Sequence, residues 1–273
     1  MSSGRRKLRE LPLNSLIPNM LTTLALCAGL TSVRFALEQR WEWAVAAILI
    51  AGILDGLDGR MARLLKGSSR FGAELDSLAD FVSFGVAPAL VLYLWTLDRG
   101  LGGLGWIIAL VFTVSCGLRL ARFNSMLDEE TPAWESRYFT GIAAPAGAAI
   151  SLLFMVISFY SDSEIFESSI LNAAWLLVIA FLMASRIPTF SIKRVAINKR
   201  FIMAFLVLVG GLAAVMASYP WQLLTGAALA YLGTIPFSVA SHRRLVKEEK
   251  RKAQIDKELA DRSDDKDEPK TSE

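Results

Sequence analysis

Histidine and cysteine are nearly absent from this sequence. Its 273 residues include one histidine, His242, in a polar tail, and two cysteines, Cys27 and Cys116, in separate apolar segments. A Ser-His-Asp or Cys-His mechanism therefore has no base within the apolar part of the chain, and a histidine-rich zinc site is excluded. We also expect no disulfide framework.

Long polar stretches are scarce as well, except at the two ends. Hydrophobic residues make up 53% of the chain, and apolar runs long enough to cross a bilayer recur along it. We predict an all-α membrane protein, a polytopic helical bundle, with six spans as the alternative if two weaker segments are re-entrant. The eight predicted spans lie near 16–37, 42–62, 72–97, 103–123, 138–160, 169–187, 201–218 and 221–240.

Positive charges are distributed very unevenly about these spans. If the N-terminus is cytoplasmic, all of the 29 Lys and Arg residues except Arg34, Arg40 and Arg99 lie on the cytoplasmic side. Cytoplasmic loops of membrane proteins carry such an excess of basic residues. We therefore predict cytoplasmic N- and C-termini and location in a bacterial inner membrane.

Composition divides the chain into three predicted regions. Residues 1–15 are basic with interspersed leucines, which indicates either an amphipathic segment on the anionic inner leaflet or a simple topogenic cluster. Residues 16–240 hold the spans. Residues 241–273 are mostly charged and are predicted to form a solvated helix that frays into a disordered cytoplasmic tail. Acids alternate with the bases of this tail, so we expect no binding of nucleic acid.

Four aspartates interrupt the apolar pattern at the facing ends of the second and third predicted spans. They are Asp55, Asp58, Asp76 and Asp80. A charged carboxylate facing lipid costs roughly 2.5–3.5 kcal/mol, so these side chains must face an interior cavity and be neutralised there. Few cationic residues lie beside them, and carboxylate clusters suit hard cations. We predict a site for two divalent cations, Mg²⁺ or Mn²⁺, with Ca²⁺ as a further alternative.

The spacing of the aspartates places them on common helix faces. Asp55 and Asp58 share a face with Gly59 and Ala62, while Asp76 and Asp80 lie one turn apart on the next helix. Two metal ions held there would form a clamp for an in-line displacement at phosphorus. Two other readings are a proton relay or the cation site of an ion-coupled transporter.

Several small or polar residues flank this carboxylate face. Gly59, Ala62 and Gly72 carry almost no side chain, so a bulky ligand can approach the helix backbone, although such residues also serve as helix-packing points. Arg63 and Ser69 can reach phosphate oxygens from the rim.

The complete pattern resembles a known family signature. Asp55-x-x-Asp58-Gly59-x-x-Ala62-Arg63, then eight residues, then Gly72-x-x-x-Asp76-x-x-x-Asp80 matches all eight positions of the CDP-alcohol phosphotransferase signature. The resemblance implies a membrane enzyme with a six-helix core and a site facing the cytoplasm. It would transfer a phospho-alkyl group from a CDP-linked donor to an alcohol and release CMP.

The resemblance also implies roles for individual residues. Asp55, Asp58 and Asp76 would hold metal, and Asp80 would hold metal and act as general base. Donor contacts would come from Gly59, Arg63 and Ser69. The family's Asn-x-x-Thr near the first span matches Asn19 and Thr22, which would line the same pocket. The alternative for Asn19 is that it caps the first helix.

Other segments are similar to the phosphatidylserine synthase branch of that family, which joins L-serine to CDP-diacylglycerol. They are residues 81–89, 117–124 and 185–193. One departure is the segment 141–145, Gly-Ile-Ala-Ala-Pro, where that branch usually has a Gly-Leu-Pro-Ser-Pro-like turn.

Candidate acceptor contacts lie at the end of the fourth predicted span. Arg119 or Arg122 could bind the serine carboxylate, and Asn124 could hydrogen-bond the amino acid. Alternatively, the two arginines extend to the membrane surface. Another acceptor, glycerol phosphate or inositol phosphate, would need a second anion site, for which the candidates are Arg186, Lys193 and Arg194. Direct displacement and a covalent route both stay open, as does a homodimer.

Overall fold

The computed structural model describes residues 13–65, 67, 69–126, 138–185, 187–190 and 202–264. These residues are almost entirely helical, which confirms the predicted all-α class. The helices are α1 (Leu13–Leu37), α2 (Trp41–Leu64), α3 (Arg70–Asp80), α4 (Ala87–Leu92), α5 (Asp98–Leu101), α6 (Gly103–Met126), α7 (Ala144–Ser151), α8 (Leu153–Ser158), α9 (Ser169–Ala184), α10 (Ile202–Ser218) and α11 (Pro220–Asp264).

Four helical stretches of the described chain are long and apolar enough to cross a membrane. They are Leu16–Leu37, Arg70–Leu101, Gly103–Ser125 and Pro220–Ser241, and two shorter apolar helices cover Ser169–Ala184 and Leu206–Ser218. The protein is therefore a polytopic integral membrane protein. Helix α2 coincides with the predicted span 42–62 but carries charged side chains along its second half. The count of eight spans stays a prediction.

The stretch Arg70–Leu101 is one continuous helix that changes its winding twice. α3 passes into a π-helical turn at Phe81–Val86, and α4 passes into a second one at Tyr93–Leu97. A π-helical turn is rare and is found frequently at functional sites. The first turn directly follows Asp80, and the second carries Trp95 and Thr96.

The core lies where α1, α2, α4, α6, α7 and α9 meet. Large buried side chains such as Phe84, Phe112 and Leu176 fill it. Helices approach closely at small residues, and a Cβ on Gly29 of α1 would lie only 2.8 Å from the Ser83 backbone. Apolar side chains on the outer surface, such as Val207 on α10, are exposed, as expected for a face that contacts lipid.

The predicted span 138–160 differs from the structure at its start. Residues Tyr138–Thr140 form strand β1, which pairs antiparallel with β2 (Pro188–Phe190), and helix begins only at Ala144. Between them Gly141 has φ +77°, and its N–H donates to the Ile187 carbonyl at 2.8 Å. Glycine is favoured there because this backbone conformation is costly for residues with a Cβ.

Residues 241–264 are helical, like the predicted solvated helix, and its fraying into disorder beyond them stays a prediction. Helix α11 continues without interruption to Asp264. The reason is composition, since this segment is rich in Lys, Glu, Arg, Ala and Leu, which have high helix propensity. The rest of the predicted tail and the basic residues 1–12 lie outside the described residues.

Candidate active site

Three of the four predicted metal ligands meet at one point. Carboxylate oxygens of Asp55 on α2 and of Asp76 and Asp80 on α3 lie within 4.8 Å of one another. All three side chains are partly buried. Both α2 and α3 pack against α1, which helps to fix the two helices that carry these groups.

The closeness of these carboxylates has an electrostatic consequence. The carboxyl groups of Asp55 and Asp80 are within hydrogen-bonding reach of each other. Ionised carboxylates at such separations repel strongly, and the repulsion is relieved by a shared proton or by a cation. Three hard oxygen donors at one point are the ligand set that Mg²⁺, Mn²⁺ and Ca²⁺ favour. The cluster could therefore hold a divalent metal ion.

Asp58 lies outside this group of three and has a different environment. Its carboxylate is buried, with 4% of the residue exposed. The Thr22 hydroxyl on α1 donates to Asp58 Oδ2 at 2.6 Å, and it lies farther, 3.0 Å, from the Pro18 carbonyl. Because a hydroxyl has one hydrogen, the short contact to the carboxylate uses it. Thr22 thus orients Asp58. The sequence predicted that Thr22 lines the pocket but did not predict this second role.

A cavity of about 200 Å³ adjoins the carboxylates. Its lining includes two of the aspartates, Asp58 and Asp76, and six of the seven predicted donor contacts. The lining residues are Pro18, Asn19, Thr22, Asp58, Gly59, Ala62, Gly67, Ser69, Gly72, Ala73 and Asp76. Pro18, Gly67 and Ala73 were not predicted. Ala73 could have been found from its spacing, because it lies one turn before Asp76.

Arg63 is the predicted donor contact that the cavity lining does not include. Its side chain is exposed, and its Nε donates to the Gly59 carbonyl of the same helix at 2.9 Å. Ser69 lines the cavity and also caps α3, since its Oγ accepts from the Gly72 N–H at 3.0 Å. The alternative reading of Asn19 as a helix cap is wrong, because α1 begins at Leu13 and Asn19 is inside the helix.

Gly72 permits the close approach of α3 to α1. A Cβ at this position would lie 2.7 Å from Asn19 Oδ1 and 3.1 Å from Ser69 Oγ. Real Cβ atoms essentially never come that near to another heavy atom. Because Gly72 has no side chain, Asn19 can lie at the cavity wall without a clash.

The three candidate serine contacts do not share one environment. Arg122 Nη1 donates to the Ala184 carbonyl at 2.9 Å, and Asn124 Nδ2 donates to Ser77 Oγ at 2.9 Å. Arg119 is different, because its buried Nε has no hydrogen-bond partner among the described residues. It also lies close enough to Asp80 for their charges to interact. Arg186, Lys193 and Arg194, the alternative anion site, lie outside the described residues.

Comparison with known proteins agrees with this geometry. The family model described as CDP-alcohol phosphatidyltransferase matches residues 15–185, and a second model, CDP-alcohol phosphatidyltransferase 2, matches residues 200–236.

Several relatives carry one name, CDP-diacylglycerol--serine O-phosphatidyltransferase. That of Mycobacterium leprae is 40% identical over 246 residues, which cover 90% of this chain and 81% of the relative. That of Mycobacterium tuberculosis is 39% identical and covers 84% of this chain and 80% of the relative. That of Helicobacter pylori is 33% identical, and the match covers 72% of this chain and 83% of the relative. The chain belongs to the CDP-alcohol phosphatidyltransferase family.

Proposed function

We propose that this protein is a membrane phosphatidyltransferase that makes phosphatidylserine and CMP from CDP-diacylglycerol and L-serine. The observation that carries the proposal is the carboxylate cluster of Asp55, Asp76 and Asp80 next to a cavity lined by the family's signature residues. The names of the relatives support serine as the acceptor.

The donor set fits the divalent metals that the family implies. Asp55, Asp76 and Asp80 would hold them, and Asp58 would complete the set from the cavity wall. When bound, two Mg²⁺ or Mn²⁺ ions would neutralise the pyrophosphate and stabilise negative charge on the phosphoryl oxygens and on the leaving CMP.

The protein's own residues would bind the donor and move the proton. Asn19, Gly59 and Ser69 line the cavity beside the carboxylates, where the cytidine diphosphate would lie. Asp80 would accept the proton of the serine hydroxyl. The serine oxygen then bonds to the phosphorus of the phosphatidyl group, and the bond from that phosphorus to the CMP oxygen breaks.

Arg119 is the candidate that best suits the serine carboxylate. Its guanidinium is partly buried and is near Asp80, and its Nε lacks a hydrogen-bond partner in the described chain. A guanidinium binds a carboxylate through two parallel hydrogen bonds. Arg119 would thus hold serine with its hydroxyl directed towards the general base. Arg122 and Asn124 already bond to other protein groups, so their proposed role is to shape this pocket.

A panel of labelled acceptors tests the proposal. Purified protein receives CDP-diacylglycerol, Mn²⁺ and either L-serine, glycerol phosphate or inositol phosphate, and CMP release and labelled lipid are measured. We expect labelling from serine alone. Labelling from another alcohol would make the protein a sibling transferase of the same family. Solute flux in vesicles without CMP release would indicate an ion-coupled transporter instead.

The stereochemistry at phosphorus separates the two routes. Direct displacement predicts inversion, and a covalent phosphatidyl-enzyme predicts retention.

We further propose a bacterial inner-membrane location with the site and both termini on the cytoplasmic side, since the basic residues are concentrated there. The division of the chain into regions 1–15, 16–240 and 241–273 stays a prediction. A homodimer also stays a prediction.

A further inference from the structure

A second polar cavity lies at the end of the bundle opposite the aspartates. It measures about 390 Å³ and is formed by the turn between α1 and α2, the start of α2, the second π-helical turn, α5 and the segment that joins α8 to α9. The lining residues are Gln39, Trp41, Trp95, Thr96, Arg99, Ser158, Phe159, Glu167 and Ser169.

The helices separate this cavity from the active site by about the thickness of a bilayer core. At ~1.5 Å per residue, Trp41 lies about 21 Å from Asp55 along α2, and Thr96 lies less than about 30 Å from Asp76 along the next helix, whose π-helical turns are shorter per residue. The hydrocarbon core of a bilayer is about 30 Å thick. The cavity therefore lies at the membrane surface opposite the carboxylate cluster.

The cavity is lined by one positively charged and one negatively charged side chain. Arg99 and Glu167 are its charged lining residues, and neither has an ion-pair partner within 4 Å in the described part of the chain. A ligand with a separate anion and cation would pair with both groups. The volume is also in the range of small-molecule sites, about 300–1,000 Å³, and far above the roughly 30 Å³ of a water molecule.

A buried polar group in the cavity wall has no partner. The Thr96 hydroxyl has no hydrogen bond among the described residues, although only 6% of this residue is exposed. Ser169 does not supply one, because its hydroxyl donates to the Thr96 main-chain carbonyl at 2.7 Å. An unsatisfied buried hydroxyl is costly, which marks this wall of the cavity as energetically unfavourable without a further partner.

Aromatic residues complete the cavity in a way that suits a lipid. Trp95 is 8% exposed and, like Thr96, belongs to the second π-helical turn, while Trp41 and Phe159 are partly buried. Tryptophan is enriched at membrane surfaces, and its ring face attracts an ammonium group. Exposed apolar side chains, such as Leu37, Trp43 and Ile170, adjoin the lining residues in sequence, so acyl chains attached to a bound head group can stay in the bilayer.

We propose that this cavity binds the head group of a zwitterionic phospholipid with a phosphodiester and a primary ammonium. Arg99 would hold the phosphate, and Glu167 with the indole rings would hold the ammonium. The site is separate from the transferase site and does not depend on which alcohol that site uses.

Binding is measured on the purified full-length protein in detergent by native mass spectrometry. The probes are short-chain phosphatidylethanolamine, short-chain phosphatidylglycerol, which lacks the ammonium, and glycerophosphoethanolamine, which lacks acyl chains. We expect one retained phosphatidylethanolamine per chain at low probe concentration and weaker retention of phosphatidylglycerol. Equal retention of glycerophosphoethanolamine would show a soluble phosphodiester rather than a lipid and would overturn the lipid part of the proposal.

Two variants and two matched controls locate the site. Arg99→Gln should weaken retention of both lipids about tenfold or more, because it removes a charged hydrogen-bond donor. Glu167→Gln should weaken phosphatidylethanolamine alone and abolish the preference between the lipids. The controls are Arg34→Gln, an exposed arginine near the same end, and Glu164→Gln, in the same short helix as Glu167 but outside the cavity lining.

The controls should bind as the unmodified protein does. CMP release should be unchanged in all four variants, which verifies that each is folded. Loss of binding in the controls to the same extent, or retained binding and preference in both cavity variants, would refute the site.

Discussion

The hydrogen bond from Thr22 to Asp58 is the most specific link between the fold and the proposed chemistry. Both residues are 4% exposed, and the hydroxyl oxygen lies 2.6 Å from Oδ2 of the carboxylate. Thr22→Val keeps the size and branching of the side chain but removes the donor. The buried carboxylate then loses this hydrogen bond.

The magnitude follows from the charge of the acceptor. A hydrogen bond to a charged group contributes about 1.5–3 kcal/mol. At 1.36 kcal/mol per factor of ten, the change is about 10- to 150-fold if it acts wholly on the transition state. We expect a loss of kcat/KM for CDP-diacylglycerol in this range, since Asp58 lines the cavity next to the predicted metal ligands.

The assay is CMP release by purified protein at saturating serine with varied CDP-diacylglycerol and Mn²⁺. Thr22→Ser retains the hydroxyl and should recover most of the activity. Thr23→Val is the matched control, because its hydroxyl is exposed and donates to the Asn19 carbonyl of the same helix at 2.8 Å. A purely structural role of Thr22 would lower the melting temperature without changing the Mn²⁺ concentration for half-maximal activity.

Two results would refute this reasoning. One is Thr22→Val with kcat/KM within about twofold of the unmodified protein. The other is an equal loss in Thr23→Val, which would show that the valine substitution in α1, and not the bond to Asp58, is responsible.

Four further predictions concern the same site and the packing around it. Asp80→Asn should abolish CMP release while circular dichroism and the melting temperature stay unchanged, and retained activity would remove Asp80 as the base. Chelation with EDTA should abolish activity, and added Mg²⁺ or Mn²⁺ should restore it; undiminished catalysis after thorough chelation would end the metal proposal. Arg119→Gln should raise KM for serine about tenfold or more with a smaller change in KM for CDP-diacylglycerol, and an equal rise in both would contradict serine binding. Gly29→Ala should destabilise the protein by about 1–3 kcal/mol, because its Cβ would lie 2.8 Å from the Ser83 backbone, whereas Gly210→Ala, whose Cβ would meet no atom of another described element within 4 Å, should not lower the melting temperature.

The helical class and the existence of a buried acidic site could be predicted because both follow from local sequence. Apolar runs in a bilayer must form helices, since each backbone polar group needs an internal partner. The spacing Asp76-x-x-x-Asp80 places both groups on one helix face whatever the rest of the chain does. The same holds for Asp55 and Asp58, which lie on one face of α2.

Contacts between helices could not be predicted in the same way. Sequence spacing treats Asp58 as equivalent to Asp55, yet Asp58 receives the Thr22 hydroxyl and Asp55 lies with Asp80. Arg63 has the right position in the signature, but its Nε bonds to its own helix.

The sequence by itself therefore determined the membrane class, the family and the identity of the acidic residues, because periodicity and motif spacing are properties of a single helix. Only the tertiary structure decided which three carboxylates meet, which small residues open the cavity and which arginine, Arg119, is left with an unpaired buried Nε in the described chain. It also brought Arg99 and Glu167, far apart in sequence, to one polar cavity at the opposite end of the bundle. The physical reason is that such groupings depend on the rotation and depth at which helices pack, and close packing of side chains along their whole length fixes both.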